Sequence, residues 1–280
     1  FPDGRDYVGQ LNLYPFFKNT QENLVGLLTL TYVPNYFDIL PMYMVVLVML
    51  PIVVMLAQVT PWLAAVFVLA VWLAAGFLDL NFPAEPWSQR QWFFNPFGWQ
   101  LIFFTGFALM SRWLPAPPVD WRLFAVATLF ILITVPFAYF RLFNEFTWFL
   151  EWRKEWKVMF NKTDFGVLRS LHFLALAYVS WVLVGHKGQR ILPRENGGIF
   201  ALAWRGVLSV ILKVGQQSLA VFISSMFLAR LMGAILDQVG RTHFSMFWVN
   251  ALGACTIIAL AYGAAWIKSQ PWKPRKAAHA

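Results

Sequence analysis

The sequence predicts an all-α membrane protein: a polytopic bundle of transmembrane helices accompanied by amphipathic helices in the plane of the bilayer. Apolar residues make up 59% of the 280 residues and charged residues only 12%, about half the share of roughly 25% in soluble domains. Aromatic residues reach 18%, with 15 Trp and 28 Phe, which suits a protein that meets both interfaces of a bilayer. These proportions exclude an ordinary soluble domain.

Seven apolar stretches are predicted to span the membrane, since each approaches the roughly 20 residues that cross the hydrocarbon core. The first contains Pro51, which is tolerated in lipid where neighbouring groups satisfy the freed carbonyl. Short polar or proline-rich connections separate the stretches from one another. The predicted spans are 39–57, 62–78, 97–114, 121–140, 167–185, 217–236 and 246–267.

One further apolar stretch, 199–214, leaves the number of spans open at seven or eight. It has only 16 residues and carries Arg205 near its middle. Burying an arginine at the centre of a span costs about 2.5–3.5 kcal/mol. We therefore prefer an in-plane helix for this stretch, with an eighth span as the alternative.

Residues 144–164 are predicted to form an amphipathic helix on the membrane surface. Four aromatic residues recur every four positions and form one stripe, while charged residues occupy the opposite face. Residues 1–37 are polar and rich in turns, and their short apolar stretch at 24–30 is expected to lie along the interface. The aromatic stripe consists of Trp148, Trp152, Trp156 and Phe160.

The orientation of the chain is predicted from the basic residues that follow the last apolar stretch. Basic clusters next to a span stay on the cytoplasmic side, so we expect a cytoplasmic tail at 268–280 on a single membrane domain, 1–280. An eighth span would reverse the orientation upstream, and the basic residues between 141 and 162 slightly favour that version. The tail cluster contains Lys268, Lys273, Arg275 and Lys276.

One spatial relation is the same for either number of spans. Segments 32–40 and 81–96 flank exactly one pair of predicted spans, so both emerge on the same side of the membrane. The segment 144–164 emerges on that side as well. We therefore expect three polar and aromatic segments to meet at one end of the bundle.

Several classes of function are disfavoured by the sequence. The net charge of +9 is assigned to anionic lipid headgroups, not to nucleic acid. The single cysteine, Cys255, lies in a predicted span, so neither a disulfide nor a metal site is expected. The chain contains no phosphate-binding loop, dinucleotide motif, zinc spacing or nucleophile elbow.

Asp38 is the first candidate for a catalytic role. A carboxylate at the apolar entrance of a span is costly unless it is paired or hydrated, and such residues often belong to functional sites. The alternative is a helix N-cap, for which Asp is favoured, and the two interpretations have equal weight. In the same segment Tyr43 is a catalytic candidate and Asn35 a substrate-binding candidate.

Asn95, Trp99 and Gln100 are candidates for substrate binding in the second polar segment. Sugar recognition uses this mixture of residues, because aromatic rings stack on apolar sugar faces while hydroxyl groups need fixed hydrogen-bond partners. An aromatic belt at the bilayer interface has the same composition without any ligand. Composition alone favours the belt.

Gln217 and Ser218, at the start of the sixth predicted span, are further candidates for substrate binding. In the seven-span version they face the cytoplasm, where an acyl-CoA donor is found. The alternative is a polar helix start. Arg205 and Lys213 nearby would attract either an anionic donor or phospholipid.

His172 is the last catalytic candidate. It lies inside a predicted span, three residues after Arg169, so the two side chains share one helix face. A histidine that faces a cavity in the membrane can act as a general base. A single histidine near a helix end is more often structural.

Three stretches of the sequence resemble the OpgC family of integral membrane proteins. They are PNYFDILPMY at 34–43, WFFNPFGWQLIFFTGFA at 92–108 and GQQSLAVF at 215–222. Their order and spacing fit the family, so the resemblance covers essentially the whole chain. The family is in turn similar to the acyltransferase-3 membrane enzymes.

The resemblance implies O-succinylation of osmoregulated periplasmic glucans in the bacterial inner membrane. It implies succinyl-CoA as the acyl donor, a glucose hydroxyl as the acceptor, no bound cofactor, and about ten spans with both chain ends in the cytoplasm. The rival functions are a transporter or flippase, whose translocation path would also use broken helices and polar span ends, and a non-enzymatic membrane subunit.

The start of the chain bears on catalysis. Phe1 is preceded by no initiator Met and followed by no apolar leader, so we expect the C-terminal portion of a longer protein. In the resembled enzymes a presumed catalytic His follows an Arg in the first span, and Arg169 and His172 do not match that spacing. The resemblance therefore implies that the catalytic His lies upstream. Asp38, Tyr43, Asn95 and Gln100 would then line the acceptor side of the site.

Overall fold

A computed structural model describes residues 4, 6–137, 145–193, 197–270 and 272, and no strand forms among them. Five of its helices are long and apolar enough to cross a membrane, which confirms the all-α membrane class. The described residues divide into an N-terminal unit, Asp6–Lys187, and a C-terminal unit that begins at Gly188. The single domain predicted for 1–280 stays a prediction.

The N-terminal unit begins with three short helices, α1 (Tyr7–Gln10), α2 (Tyr14–Lys18) and α3 (Thr20–Thr29). The apolar stretch predicted at 24–30 forms the second half of α3. The hydroxyl of Tyr32 donates to the backbone carbonyl of Asn12 at 2.5 Å, and this bond holds the short helices against the chain that follows α3.

Three apolar helices come next: α4 (Ile39–Val59), α5 (Pro61–Phe77) and α6 (Pro96–Met110). Only Thr60 separates α4 from α5, so these two helices turn back on each other. The three helices pack pairwise, and apolar side chains from each form a buried core that excludes water. The core consists of Val46, Met49, Val53, Ala64, Val68 and Phe104.

The rest of the N-terminal unit contains a second helix pair, α7 (Trp121–Thr134) and α10 (Val167–Val184), which pack against each other. The helices α5, α6 and α7 have 17, 15 and 14 residues, shorter than the roughly 20 that span a bilayer. The predicted span 121–140 is longer than α7, which ends at Thr134. The last residues of that prediction, 138–140, lie outside the described residues.

The single amphipathic helix predicted over 144–164 is wrong. The structure has two shorter helices there, α8 (Thr147–Glu155) and α9 (Lys157–Phe160), and residue 144 lies outside the described range. The break at Trp156 lets the chain fold back, so that the ring of Phe160 lies 5.3 Å from that of Trp152. The aromatic residues of the stripe therefore pack partly on one another.

The C-terminal unit is a helical unit of α11 (Gly198–Gln216), α12 (Ser218–Val239) and α13 (His243–Lys268). The helix α13 begins with a capping box between Thr242 and Ser245, and it packs along α12. The stretch predicted as 16 residues is a helix of 19 residues. It is apolar enough to cross a membrane, so its length no longer argues against an eighth span, and only Arg205 does.

Candidate functional site

Three loop segments meet at one end of the helices of the N-terminal unit. The N–H of Val33 donates to the carbonyl of Ala84 at 2.8 Å, and the N–H of Asn95 donates to the carbonyl of Thr163 at 3.1 Å. These bonds confirm the prediction that the segments around 32–40, 81–96 and 144–164 come together. We call residues 30–38, 78–95 and 161–166 the loop end.

Asp38 joins the first two of these segments. It stands at the N-cap position of α4, yet its side chain makes no capping bond. Instead Oδ2 accepts the N–H of Phe94 at 2.8 Å, from a segment 56 residues away. The residue is only 3% exposed, and its Oδ1 is buried with no hydrogen-bond partner among the described residues. The capping alternative for the Asp38 side chain is therefore wrong.

Arg90, which is partly buried, forms the centre of a polar network at the loop end that the sequence analysis missed. Its Nη2 donates to the carbonyl of Val33 at 2.6 Å and to Oε2 of Glu85 at 3.1 Å. Its Nη1 donates to Oδ1 of Asn35 at 3.1 Å. The sequence did contain a signal for this network, because Glu85 and Arg90 carry opposite charges five residues apart in a loop otherwise rich in Pro and Trp.

Glu85 is the anionic partner in this network and is 6% exposed. It also accepts hydrogen bonds from the hydroxyl of Ser88 at 2.6 Å and from Nδ2 of Asn12 at 2.5 Å. Burial raises the pKa of Glu85, but the hydrogen bonds from Arg90, Ser88 and Asn12 outweigh it and hold the pKa below its ordinary value. Glu85 is thus kept ionised.

Asn35, predicted to bind substrate, has both ends of its side chain engaged within the chain. Its Oδ1 accepts from Arg90, and its Nδ2 donates to the carbonyl of Gln10 at 3.0 Å. The structure therefore places Asn35 between the short N-terminal helices and the second loop segment.

Asn95 connects the second and third segments and is fully buried. Its Nδ2 donates to the carbonyl of Leu80 at 2.7 Å and to Oδ1 of Asp164 at 2.8 Å. Its Oδ1 accepts the N–H of Phe97 at 3.0 Å and so caps α6. All hydrogen-bonding groups of this predicted substrate-binding side chain therefore have partners within the chain.

Asp164 is a second carboxylate of the loop end that the sequence analysis did not single out. Its Oδ2 accepts a short hydrogen bond from Nδ2 of Asn161. Burial raises the pKa of Asp164, and the negative charge of Asp79 adds to this, while the bond from Asn95 offsets only part of it. The pKa values of Asp164 and Glu85 are therefore shifted in opposite directions.

Gly98 allows the third segment to approach α6. A Cβ atom at this position would lie 2.5 Å from the carbonyl oxygen of Asp164 and 2.7 Å from its Cα. The backbone of residue 164 therefore lies directly on the helix, where only glycine leaves room.

Trp99 and Gln100, both predicted to bind substrate, point to different surroundings. The Nε1 of Trp99 donates to the carbonyl of Lys162 at 3.1 Å, and its ring lies 4.9 Å from that of Phe165. Gln100 is fully buried, and its Nε2 donates to the carbonyl of Val68 on α5 at 2.8 Å. Gln100 thus faces the interior of the bundle, and its Oε1 has no partner among the described residues.

Comparison with known proteins identifies the family of the chain. A family model described as OpgC protein matches residues 1–269. The chain belongs to the OpgC family. No curated protein and no solved structure gives a match to this OpgC-family chain.

The three catalytic candidates of this OpgC-family protein do not form one cluster by the hydrogen bonds of the described residues. Tyr43 is 46% exposed, and its ring meets the edge of Phe103 at 5.9 Å. Nδ1 of His172 lies 2.6 Å from the hydroxyl of Thr134, at the end of α7. In the described part of the chain no hydrogen bond joins either residue to Asp38, so the catalytic assignments stay predictions.

Gln217 and Ser218 belong to the C-terminal unit of the OpgC-family chain. Gln217 lies at the junction of α11 and α12, is 9% exposed, and has no partner for its Oε1 among the described residues. It makes no side-chain capping bond. Ser218 is the exposed first residue of α12.

The N-terminal unit has a small, shallow cleft beside the loop end, lined by the ends of α5, α9 and α10. Asp164 supplies the one charged side chain of this lining, and the other lining residues are apolar or glycine. Among the described residues, no group of three or more His, Cys, Asp or Glu side chains is placed to hold a metal ion. The lining consists of Trp72, Leu73, Gly76, Phe77, Val158, Asp164, Gly166 and Val167.

Proposed function

We propose that this OpgC-family protein takes part in the O-succinylation of osmoregulated periplasmic glucans in the bacterial inner membrane. The observation that carries the proposal is the family match over residues 1–269. Helices long and apolar enough to cross a membrane support it, because the acyl donor and the glucan acceptor are found on opposite sides of that membrane.

The proposed reaction is an acyl transfer from succinyl-CoA, which is a substrate and not a resident cofactor. The oxygen of a glucose hydroxyl attacks the carbonyl carbon of the thioester, so a C–O ester bond forms and the C–S bond breaks. A general base takes the hydroxyl proton, and coenzyme A leaves as the thiol after protonation. A cationic or hydrogen-bonding group stabilises the oxyanion that forms on the carbonyl oxygen.

We propose different roles for the predicted substrate-binding residues. The side chains of Asn35 and Asn95 hold loop segments together through bonds of 2.7–3.1 Å, so they position the loop end instead of contacting the sugar. Trp99 positions the third segment through its bond to Lys162. Gln217 and Ser218 remain the candidates for the donor side.

The test is deletion of the gene in a bacterium that carries it, followed by mass spectrometry of the purified periplasmic glucans. We expect glucans of normal length that lack succinyl groups, and restoration of those groups when the gene is returned on a plasmid. Unchanged succinylation in a strain without a redundant enzyme would contradict the proposal. A transporter predicts another result, because the glucans themselves would then be missing from the periplasm.

A further inference from the structure

Asp38 is a buried carboxylate that has a hydrogen-bond partner for only one of its two oxygens among the described residues. Oδ2 accepts the N–H of Phe94 at 2.8 Å. Oδ1 is buried and has no hydrogen-bond partner among the described residues. A buried polar atom without a partner is unfavourable, so Oδ1 is suited to accept a hydrogen bond from a group outside the chain.

Exposed aromatic side chains lie next to Asp38 in both segments that it joins. Tyr36 and Phe37 precede it and are 61% and 46% exposed, and Phe93, next to Phe94, is 51% exposed. The ring of Phe93 meets the edge of Phe94 at 5.0 Å. Flat apolar rings beside a hydrogen-bond acceptor are the combination that binds a sugar, which has apolar faces and hydroxyl edges.

Tyr36, in the segment before Asp38, has a strained backbone conformation. Its φ is 69°, in the left-handed region that a bulky residue adopts only at a cost in free energy. Oδ1 is covered in this structure, so a ligand reaches it only when the segment before Asp38 moves.

The negative charge at Oδ1 of Asp38 favours the neutral sugar acceptor over the anionic acyl donor of the proposed reaction. A carboxylate oxygen accepts hydrogen bonds from hydroxyl groups but repels the phosphates of coenzyme A and the free carboxylate of a succinyl group. The loop end holds one bare donor as well, the buried Nε of Arg90. A polyol satisfies both types of atom, because each hydroxyl group donates and accepts.

We propose that Asp38, with the rings of Tyr36, Phe37 and Phe93, forms the subsite for a neutral glucose unit of the acceptor. Oδ1 of Asp38 accepts a hydrogen bond from a sugar hydroxyl and fixes the orientation of the ring, while Oδ2 keeps its bond to Phe94. Asp38 is then a binding and positioning residue. This inference rests on the proposed function for the identity of the acceptor.

The test is the binding of neutral gluco-oligosaccharides to the intact protein in detergent micelles, with no acyl donor present. Isothermal titration calorimetry with cellobiose, laminaribiose and sophorose covers three linkages between the same glucose units. In Asp38→Asn the N–H of Phe94 requires the amide oxygen to face it, so the bare position becomes an NH₂ group. The NH₂ group can still donate to a hydroxyl, but the charge-assisted bond to the carboxylate is replaced by a weaker neutral one, so we expect the best of the three sugars to bind at least about tenfold more weakly to this variant.

Asp120→Asn is the matched control. Asp120 also lies at a helix N-cap, and its Oδ1 accepts the N–H of Arg122 at 2.7 Å. It is exposed and lies where α7 begins, at the other end of the N-terminal unit. The same chemical change there should leave sugar binding as it is in the wild type, and both variants should keep the wild-type affinity for succinyl-CoA.

Each other outcome overturns the subsite. Equal sugar binding by Asp38→Asn and the wild type, or no sugar binding by the wild type, shows that Oδ1 meets only water. Weaker binding of succinyl-CoA would assign the position to the donor.

The subsite and the proposed function can fail separately. Sugar binding that depends on Asp38, together with unchanged glucan succinylation in the deletion strain, would retain the subsite and reject the transferase. Loss of succinylation in the deletion strain, together with sugar binding that is unchanged in Asp38→Asn, would support the transferase and reject the subsite.

Discussion

The two ends of the N-terminal unit are built differently. At the loop end, segments of 6 to 18 residues cross one another and bury charged and amide side chains. At the opposite end Thr60 alone turns α4 into α5, and Tyr178 donates to the carbonyl of Pro118 at 2.8 Å. We call this second region the short-turn end. The buried polar residues of the unit, all near the loop end or in the short helices tied to it, are Asn23, Asp38, Glu85, Asn95, Gln100 and Ser170.

This difference separates a region that holds polar groups in place from one that only reverses the chain. Burying amides and carboxylates is unfavourable unless each finds a partner, and hydrophobic helices need no such groups to pack. Long, bonded loops on a rigid scaffold are also where binding sites concentrate in proteins. The comparison predicts that substitutions at the loop end are costly and that similar ones elsewhere are mild.

The largest effect is expected for Asn95→Ala. The substitution leaves the N–H of Phe97 and the oxygens of Leu80 and Asp164 without their partner, and each unsatisfied buried group costs about 1–3 kcal/mol. We expect a loss of roughly 3 kcal/mol or more in the free energy of unfolding, measured as a drop in melting temperature in detergent.

Asn250→Ala is the control for this experiment. Its Nδ2 donates only within its own helix, to the carbonyl of Met246 at 2.7 Å, and the residue is exposed. The change should be within about 0.5 kcal/mol of the wild type. Equal melting of the two variants would contradict a special role for the loop end.

The second largest loss of stability is expected for Gly98→Ala. The added methyl group overlaps the backbone of Asp164, so α6 and the third loop segment must separate, at a cost of about 1–3 kcal/mol. Gly106→Ala lies on the same helix with no atom within 4 Å of its added Cβ, and it should be neutral or slightly stabilising. Thermal melting of both variants compares the two positions, and a stable Gly98→Ala would show that the segment is free to move.

Glu85→Gln should destabilise the loop end by about 1–3 kcal/mol at neutral pH, because it removes the charge that pairs with Arg90. The pKa of Glu85 lies below its ordinary value, so its contribution is present above the ordinary pKa and is lost as the pH falls through the lowered one. The difference in melting temperature from the wild type should therefore shrink in acid. Glu22→Gln, at an exposed position of α3, should show no difference at any pH.

Asp164→Asn should show the opposite dependence on pH. Burial raises the pKa of Asp164, so its contribution is fully present below the ordinary pKa and is lost as the pH rises through the raised one. The difference in melting temperature between the wild type and this variant should be largest in acid and decrease toward neutral pH. A trend of the same sign as for Glu85→Gln would refute this assignment.

The smallest effect is expected at the short-turn end, for Tyr178→Phe. The variant keeps the buried ring but loses the bond from the hydroxyl to the carbonyl of Pro118 and the longer bond that the hydroxyl accepts from the N–H of Asp120 at 3.3 Å. We expect the loss of the hydroxyl to cost about 0.5–1.5 kcal/mol. Succinylation of glucans by a strain that carries Tyr178→Phe should equal that of the wild type. A loss of succinylation with normal protein levels would mean that the short-turn end takes part in function.

The membrane class and the approximate helix bounds followed from the sequence alone. The predicted spans 39–57 and 62–78 differ from α4 and α5 by at most two residues at either end. Runs of apolar residues are local properties, and a helix in lipid satisfies its backbone within the segment itself. The meeting of the three loop segments was predictable too, because counting spans fixes which connections share an end.

The tertiary structure alone decided what the polar side chains do. A helix cap was one of two interpretations of Asp38, but its side chain bonds to Phe94, 56 residues away. The break of the predicted amphipathic helix at Trp156, which brings the ring of Phe160 to that of Trp152, was likewise not visible in the sequence pattern. Arg90 found its partners Val33 and Asn35 across two loops. Hydrophobic patterns are set by neighbours in the chain, whereas the partners of a buried polar group are set by segments that only folding brings together.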